Sequence, residues 1–583
     1  SRTRPPDRAV AVEFLEKRLA DTRFSRFRPV PVAEDLTVEE EIYFKEQADL
    51  FPAVTVERET VREYPYGALA AHLLGYVGAL SDEQWAAFDE ENDPDKPYTQ
   101  ADQIGKSGIE ATYEPYLRGI PGRQVFEVDR SGRVVRELGG QREEPEPGDD
   151  VYLSIDARIQ YKAEEALQAW ILRSGSPTPA GAATVVDPRD GRVVAMASYP
   201  TYFPADLVGG ISNDLWQQLT DPETKILSNR AIQEAYPAAS TFKLATSYAG
   251  VKLGLVGPND VVVDEGVYSL CDGEGSGCKK RNSGGGAAMG PITLSTALTR
   301  SSDYYYYRLG VLAWRKHQNE GAPEDALQRE IKALGYGEKT GIDLTGESGG
   351  RVPTPETNRQ LADSLWEANP ANYGNDEAVW QDARRWKAGY SADVAIGQFD
   401  TLVTPLQTAN AYASLANGEG RLYRPQMLSQ VTKANSAAVV EPFEAEVIRT
   451  VDYGDMRTAL LDGFKGVTSA EGGTATSTFA GFPLDTWGVA GKTGSAEVGD
   501  DADQRSDNSL FVGFGPTEDP QYVASVMIEG GGFGAQAAAP AVRMILEPIA
   551  TGAINEFKVP RGGIIDAERA AEASSSIGTS SAD

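Results

Sequence analysis

Past a Pro/Gly/acidic stretch, Glu143-Glu-Pro-Glu-Pro-Gly-Asp-Asp150, apolar runs that read as strands stand at both ends of the chain, with a long helix-rich stretch between them. Near the start, Ala183-Thr-Val-Val and Val193-Val-Ala-Met-Ala flank the turn Asp187-Pro-Arg-Asp-Gly191, the pattern of a β-hairpin. Near the end, Leu510-Phe-Val-Gly-Phe and Tyr522-Val-Ala-Ser-Val-Met-Ile528 read as strands again, while Thr241 to Val251 and Thr404 to Ala416 read as helices. Strands this far apart bury their apolar faces together by forming one antiparallel sheet closed by distant pieces, which makes the fold α+β. The sheet-bearing part opens with a strand, Val151-Tyr-Leu-Ser-Ile155, and an amphipathic helix from Ala157 to Leu172. Before it, residues 1–150 mix charged helical stretches with extended pieces such as Val54-Thr-Val-Glu-Arg-Glu-Thr-Val61, and the Pro/Gly/acidic stretch reads as a linker. From Ala567 to Asp583 the residues are small and polar, so 561–583 is expected to be a disordered tail after a 151–560 catalytic-size domain.

The 583 residues exceed one ordinary domain, and 41% hydrophobic content supports real cores. Against 86 acidic residues stand 55 basic ones, a net charge of −31 that repels phosphate backbones, so nucleic acid is not an expected partner. The longest apolar run, Gly67 to Leu80, is interrupted by His72 and falls short of the ~18 residues a membrane-spanning helix needs. Because the chain opens on Ser1, a signal or anchor is expected to have preceded it. Cys271 and Cys278 bracket a Gly-rich loop that can close a disulfide in an oxidising compartment, or can carry two unpaired thiols. Zinc would need two further ligands, and His72 and His317 lie far off in sequence, so no metal is expected.

Several serines sit in suggestive strings, and a serine hydroxyl needs a base within hydrogen-bond reach to act as a nucleophile. Histidine is nearly excluded: His72 belongs to the N-terminal part and His317 to the polar stretch Arg315-Lys-His-Gln-Asn-Glu320. Gly346-Glu-Ser-Gly-Gly350 matches a nucleophile elbow but follows no strand and opens no helix, so it reads as a turn. The other solution is a lysine one helical turn on. In Ala238-Ala-Ser-Thr-Phe-Lys, Ser240 and Lys243 share a face of a helix that starts after Pro237, where the first amides favour a developing oxyanion. For Lys243 to serve as base, its ammonium form must be disfavoured by desolvation or by a second cation.

Ser-x-x-Lys alone is weak, since Ser276-Gly-Cys-Lys279 also matches. Order supplies the specificity: Ser240 and Lys243, then Ser301-Ser-Asp303, then Lys492-Thr-Gly-Ser495. Among the decoys, Ser212-Asn-Asp214 precedes the nucleophile and Ser506-Asp-Asn508 follows Lys-Thr-Gly; Ser391-Ala-Asp393 keeps the order but sits before Ile396-Gly-Gln. Lys339-Thr-Gly341 is followed by Ile342-Asp-Leu, with no hydroxyl to meet a carboxylate, whereas Trp487-Gly-Val-Ala-Gly-Lys-Thr-Gly-Ser-Ala496 is an extended segment bearing Lys, Thr and Ser.

With these residues located, the chain resembles the class B penicillin-binding proteins along nearly all of its length. The transpeptidase likeness runs from Tyr152 to about Pro560 and takes in Gly335-Tyr-Gly-Glu-Lys-Thr-Gly-Ile-Asp-Leu-Thr-Gly-Glu347, Ala395-Ile-Gly-Gln398 and Thr404-Pro-Leu-Gln407. Upstream, Arg62-Glu-Tyr-Pro65 and Gly105-Lys-Ser-Gly-Ile-Glu-Ala-Thr-Tyr-Glu-Pro-Tyr-Leu-Arg-Gly119 fit as well. That second stretch, with Asp303 where many relatives carry Asn, resembles the elongation-type, penicillin-binding-protein-2-like branch that partners a SEDS-family glycosyltransferase. The Arg-Gly-x-Ile-x-Asp-Arg-x-Gly stretch usual after the membrane anchor is missing, which reads as truncation upstream of Ser1, and Ser495 stands where Thr is commoner.

The resemblance implies a five-stranded antiparallel sheet flanked by helices, an all-helical subdomain, and an elongated N-terminal α+β pedestal. It implies a membrane-anchored, extracytoplasmic D,D-transpeptidase without cofactor that cross-links peptidoglycan stem peptides in cell-wall elongation and is acylated by β-lactams. Ser240 would attack the penultimate D-Ala carbonyl, and Lys243 would take its proton. Ser301 and Lys492 would relay a proton to the leaving amine, with Lys492 as the cation that keeps Lys243 neutral. Asp303 would orient Lys243 or the donor, although a carboxylate so close favours a charged lysine. Backbone amides of Ser240 and Ser495 would form the oxyanion hole; Thr493, Gly494 and Ser495 would bind the terminal carboxylate. Two alternatives stand beside this reading: a serine β-lactamase, and a non-enzymatic β-lactam sensor or scaffold.

Overall fold

The computed structural model describes residues 8–19, 30–33, 36–51, 54–56, 60–90, 98–100, 102–128, 130, 134–139, 142–177, 179–270, 278–497 and 507–562. At its centre five strands, β1 (Gly181–Val186), β2 (Val193–Tyr199), β3 (Ala490–Ala496), β4 (Asn508–Gly515) and β5 (Tyr522–Ile528), pair antiparallel in the order β3-β4-β5-β1-β2. Val523 opposite Val186 joins the two distant hairpins, and Lys492 stands opposite Val512 on the edge pair. The sheet expected from the two ends of the chain is therefore present, in the five-stranded form the resemblance implies.

Six helices position the site: α1 (Ala157–Ser174), α2 (Lys243–Lys252), α3 (Asp303–Glu320), α4 (Pro405–Ala416), α5 (Met456–Ser469) and α6 (Ala538–Ala550). Ala183, Val185, Ala195 and Ala197 share a core with Ile159, Leu167 and Ile171 of α1 and Val542 and Ile545 of α6. Their neighbours Ala182, Val186, Val193 and Met196 share the other core with Leu406, Ala409 and Tyr412 of α4. Both faces of the sheet are covered, which is why its strands read as continuous apolar runs and not as an alternation. Helix α4 is buried along its whole length and starts at a capping box in which Thr404 and Gln407 bond each other's backbone.

The N-terminal part holds short helices, including Val38–Glu46, and two small antiparallel pairs, Val77–Ala79 with Gln103–Gly105 and Phe126–Val128 with Val134–Glu137. Its apolar run is packing, not a membrane span. Ala68, Leu69, Ala70, Ala71 and Leu73 are buried, Tyr202 Oη donates to Ala71 O at 3.0 Å, and His72 Nε2 lies 2.7 Å from Ile226 O. Burial pushes the His72 imidazole down to about 4, so it stays neutral, and His317 Nδ1 is 2.7 Å from Ala322 O; both are structural.

Two expectations need adjustment. Glu143–Asp150 is held in place and not a free linker, because Glu143 and Glu146 bridge to Arg123 and Ile120 and Asp150 begins a strand opposite Thr432. The described residues of Val54–Val61 join no strand. The tail beyond 562 and Cys271 lie outside the described residues, while Cys278 is disulfide-bonded. Among the described residues no helix is long and apolar enough to cross a membrane, and no group of His, Cys, Asp or Glu is placed to hold a metal ion.

Candidate active site

Ser240 lies in a 3₁₀ turn, Ala239–Phe242, that runs straight into α2. The helical turn starts two residues later than Pro237 suggests, because Tyr236–Pro237 pairs as a short strand with Leu402–Val403. Ala239 has a φ of +47°, a left-handed conformation that costs a non-glycine residue about 1–3 kcal/mol and recurs at functional turns. The surrounding backbone imposes it: Ala239 N donates to Gly397 O at 2.9 Å and Ala238 N to Thr401 O at 3.3 Å. Gly397 itself has φ +77°, and a Cβ there would lie 2.3 Å from Ala239 O. The Ala-Ile-Gly-Gln motif is thus a mount for the nucleophile turn.

Lys243 is fully buried, and its Nζ donates to Asp303 Oδ1 at 2.6 Å, Ser301 O at 3.0 Å and Ser301 Oγ at 3.1 Å. Lys492, also fully buried, rises from β3 to place Nζ 2.8 Å from Ser301 Oγ and donates to Thr493 O at 3.0 Å. Ser301, another left-handed residue at φ +58°, is therefore the bridge between two lysines. No hydrogen bond joins Lys243 to the Ser240 hydroxyl in this state. The second oxygen of Asp303 accepts from Ser283 N at 3.0 Å. That loop is braced by Asn282, whose side-chain amide donates to Asp264 at 2.9 and 3.0 Å; Asp264 also accepts from Ser302 Oγ at 2.6 Å.

Burial disfavours both ammonium groups, but not equally. For Lys243 desolvation lowers the pKa while the touching Asp303 carboxylate raises it. Lys492 is driven much further down, first by desolvation and then by the positive charge of Lys243, since no carboxylate bonds it. The tension between Asp303 and Lys243 seen in the sequence is real: the carboxylate raises both lysines, and it favours charge on Lys243, which it touches, more than on Lys492.

On β3, Thr493 Oγ1 lies 2.7 Å from Thr474 Oγ1, and Gly534 N donates to Ser495 Oγ at 3.1 Å. A Cβ on Gly494 would meet Thr241 and Ala239 at 3.1 and 3.4 Å, so the strand runs close against the nucleophile turn. The structure thus brings Lys243, Ser301, Asp303 and Lys492 into one hydrogen-bonded cluster, with Gly494 of the strand bearing Thr493 and Ser495 packed against the Ser240 turn. Asp264, Asn282, Ser283, Thr474 and Gly534 were missed; Asp264 ends a short strand and the others are single polar or glycine residues in loops, with no spacing to mark them.

The decoys are structural. Glu347, from the elbow-like string, accepts from Thr340 N at 2.7 Å, Thr340 Oγ1 at 2.5 Å and Gly341 N at 3.0 Å, so two false motifs are each other's partners. Ser212 caps a helix, Ser391 Oγ accepts from Trp386 Nε1 at 2.7 Å, and Asp393 pairs with Lys280 at 2.7 Å. Ser276 and Ser506 lie outside the described residues.

Comparison with known proteins agrees with this geometry. Residues 181–547 match the penicillin binding protein transpeptidase domain, and residues 6–153 the penicillin-binding protein dimerisation domain. Peptidoglycan D,D-transpeptidase MrdA of Escherichia coli K12 is 31% identical over 550 residues, 91% of this chain and 77% of that protein. MrdA of Acinetobacter baumannii is 30% identical over 509 residues, 85% of this chain and 67% of that protein. Among solved structures, Pseudomonas aeruginosa PBP2 in complex with WCK 5153 superposes with a TM-score of 0.64 at 30% identity, covering 85% of this chain and 92% of that one. The chain belongs to the class B penicillin-binding proteins, and it is a peptidoglycan D,D-transpeptidase of the MrdA type.

Proposed function

We propose that Ser240 is the nucleophile, attacking the penultimate D-Ala carbonyl of a stem peptide, expelling the terminal D-Ala and passing the acyl group to an amine of a neighbouring strand. The observation that carries this reading is the unbroken polar chain Asp303–Lys243–Ser301–Lys492 beside a strained serine turn. In the resting site the touching carboxylate keeps the proton on Lys243. Lys492 is neutral, and its lone pair can accept from the Ser301 hydroxyl. A donor whose terminal carboxylate docks at Thr493 and Ser495 places negative charge beside Lys492 and favours its ammonium form. The proton then passes from Lys243 through Ser301 to Lys492, which leaves Lys243 as the free base one turn from Ser240. In the bound state Lys492 is the cation the sequence reading assigned. After attack, Lys243 holds the serine proton and Lys492, through Ser301, protonates the leaving amine.

Backbone amides of Ser240 and Ser495 form the oxyanion hole, where a single donor is worth about 3 kcal/mol in other acyl-transfer enzymes. Residues 1–150 serve as a pedestal and 151–560 as the catalytic domain; the matches at 6–153 and 181–547 support that division. The working partner is a SEDS-family glycosyltransferase. Support comes from a solved structure titled "Structural coordination of polymerization and crosslinking by a peptidoglycan synthase complex", 28% identical with a TM-score of 0.66. We place the chain at the outer face of the cell membrane, held by an N-terminal anchor. The activity is tested by incubating the protein with a D-Ala-D-Ala-terminated donor peptide and a labelled D-amino acid. Label incorporation with release of D-Ala, abolished in Ser240→Ala, is expected; incorporation that survives the substitution overturns the assignment.

A further inference from the structure

We infer that Thr474 is a positioning residue for the donor's terminal carboxylate, acting through Thr493; this rests on the reading that Thr493 and Ser495 bind that carboxylate. The two hydroxyls of β3 each have a dedicated partner. Ser495 Oγ accepts from Gly534 N at 3.1 Å, so its proton is turned away from that amide. Thr493 Oγ1 has no backbone amide; its partner is the Thr474 hydroxyl at 2.7 Å. A hydroxyl carries one proton, so when Thr493 gives its proton to a carboxylate, the 2.7 Å contact between the two hydroxyls is kept only with Thr474 as the donor. In that state Thr474 fixes the direction of the pair.

The mount of Thr474 is rigid, which makes the orientation cheap in entropy. Ala475 is fully buried and its N donates to Val467 O of α5 at 2.9 Å; Thr476 Oγ1 donates to Ala470 O at 2.7 Å. Gly473 packs so close to α5 that a Cβ would lie 2.2 Å from Gly466 O. Helix α5 is in turn tied to the strand's approach through Thr468 Oγ1, which donates to Val489 O at 2.6 Å. Thr474 is thus held against β3 by the same helix that lies along it, while its own side chain is only partly buried and meets Thr493 of that strand.

The test compares acylation by benzylpenicillin with acylation by its methyl ester, which has the same reactive ring and no carboxylate. Removing one hydrogen bond corresponds to about a 3- to 10-fold change. Thr474→Val is expected to slow acylation by the acid by that factor and leave the ester unchanged, with Thr474→Ser restoring the acid rate and all variants melting alike. An acid rate unchanged in Thr474→Val, while Thr493→Val loses the discrimination between acid and ester, overturns the role of Thr474 alone. Loss of discrimination in neither variant overturns the carboxylate reading itself.

Discussion

Glu164 on α1 accepts from Ala70 N at 2.7 Å and from Gln160 Nε2 at 2.8 Å, tying the N-terminal strap to the catalytic unit. Among the described residues no cation pairs with it, and burial pushes its carboxyl from 4.5 up to about 7. A raised carboxyl binds its proton in the folded state first, so its stabilising contribution is complete below pH 4.5 and is lost as pH rises through about 7. That gap corresponds to roughly 3 kcal/mol at 1.36 kcal/mol per pH unit, and partial exposure of the side chain reduces it to about 1–2 kcal/mol. Glu164→Gln keeps an acceptor for Ala70 N and has nothing to titrate. In urea denaturation at constant ionic strength from pH 5 to 8, the variant should gain on wild type as pH rises, by about 1–2 kcal/mol at pH 8. His72 in the same joint has the opposite sign, its imidazole held down at about 4, so it weakens the fold as pH falls through 6.5 towards 4. It is common to both proteins and cancels in the difference. Parallel pH curves for variant and wild type would refute the argument.

Lys492→Arg puts a guanidinium that stays charged where a neutral amine is required, and penicillin acylation should fall about 100-fold or more; near-wild-type rates would show that positive charge alone suffices. In the wild type, acylation should decline as pH drops and Lys492 takes up a proton, because its pKa is lowered by burial and by Lys243. Gly397→Ala pushes a Cβ into Ala239 O and strains a φ of +77°, so acylation should fall at least about 10-fold while the melting temperature moves little; stopped-flow acylation at unchanged rate would contradict the mount. Gln407 is buried and bonds Thr404 N, Glu338 O and Gly349 O at 2.9, 2.7 and 2.8 Å. Gln407→Ala should cost about 2–5 kcal/mol by urea denaturation, and a loss below about 1 kcal/mol would mean those carbonyls find other partners.

The sheet was legible because β1, β2, β4 and β5 are apolar on both faces, and the cluster of Ser240, Lys243, Ser301, Asp303 and Lys492 because all five stand in three short strings whose order is fixed. What was not legible depended on tertiary contact. Gln407 and Glu347 looked like parts of motifs and turn out to bind carbonyls and amides of the connecting segment. Glu143–Asp150 has the composition of a linker, yet its backbone pairs with residues 120–123, a pairing that composition does not encode. The direction of charge between Lys243 and Lys492 follows from which of them touches Asp303, and no spacing in the sequence says which. Thr474 lies eighteen residues before Lys492 in a loop of small residues, where one more threonine carries no signal.

The most direct test of the account is intact mass after incubation with a penicillin, followed over hours, with peptide mapping of the adduct. One long-lived adduct on the peptide containing Ser240, absent in Ser240→Ala, is the expected result. An adduct elsewhere, or one retained in the variant, would contradict the nucleophile, and rapid loss of the adduct with penicillin hydrolysis would point to a β-lactamase.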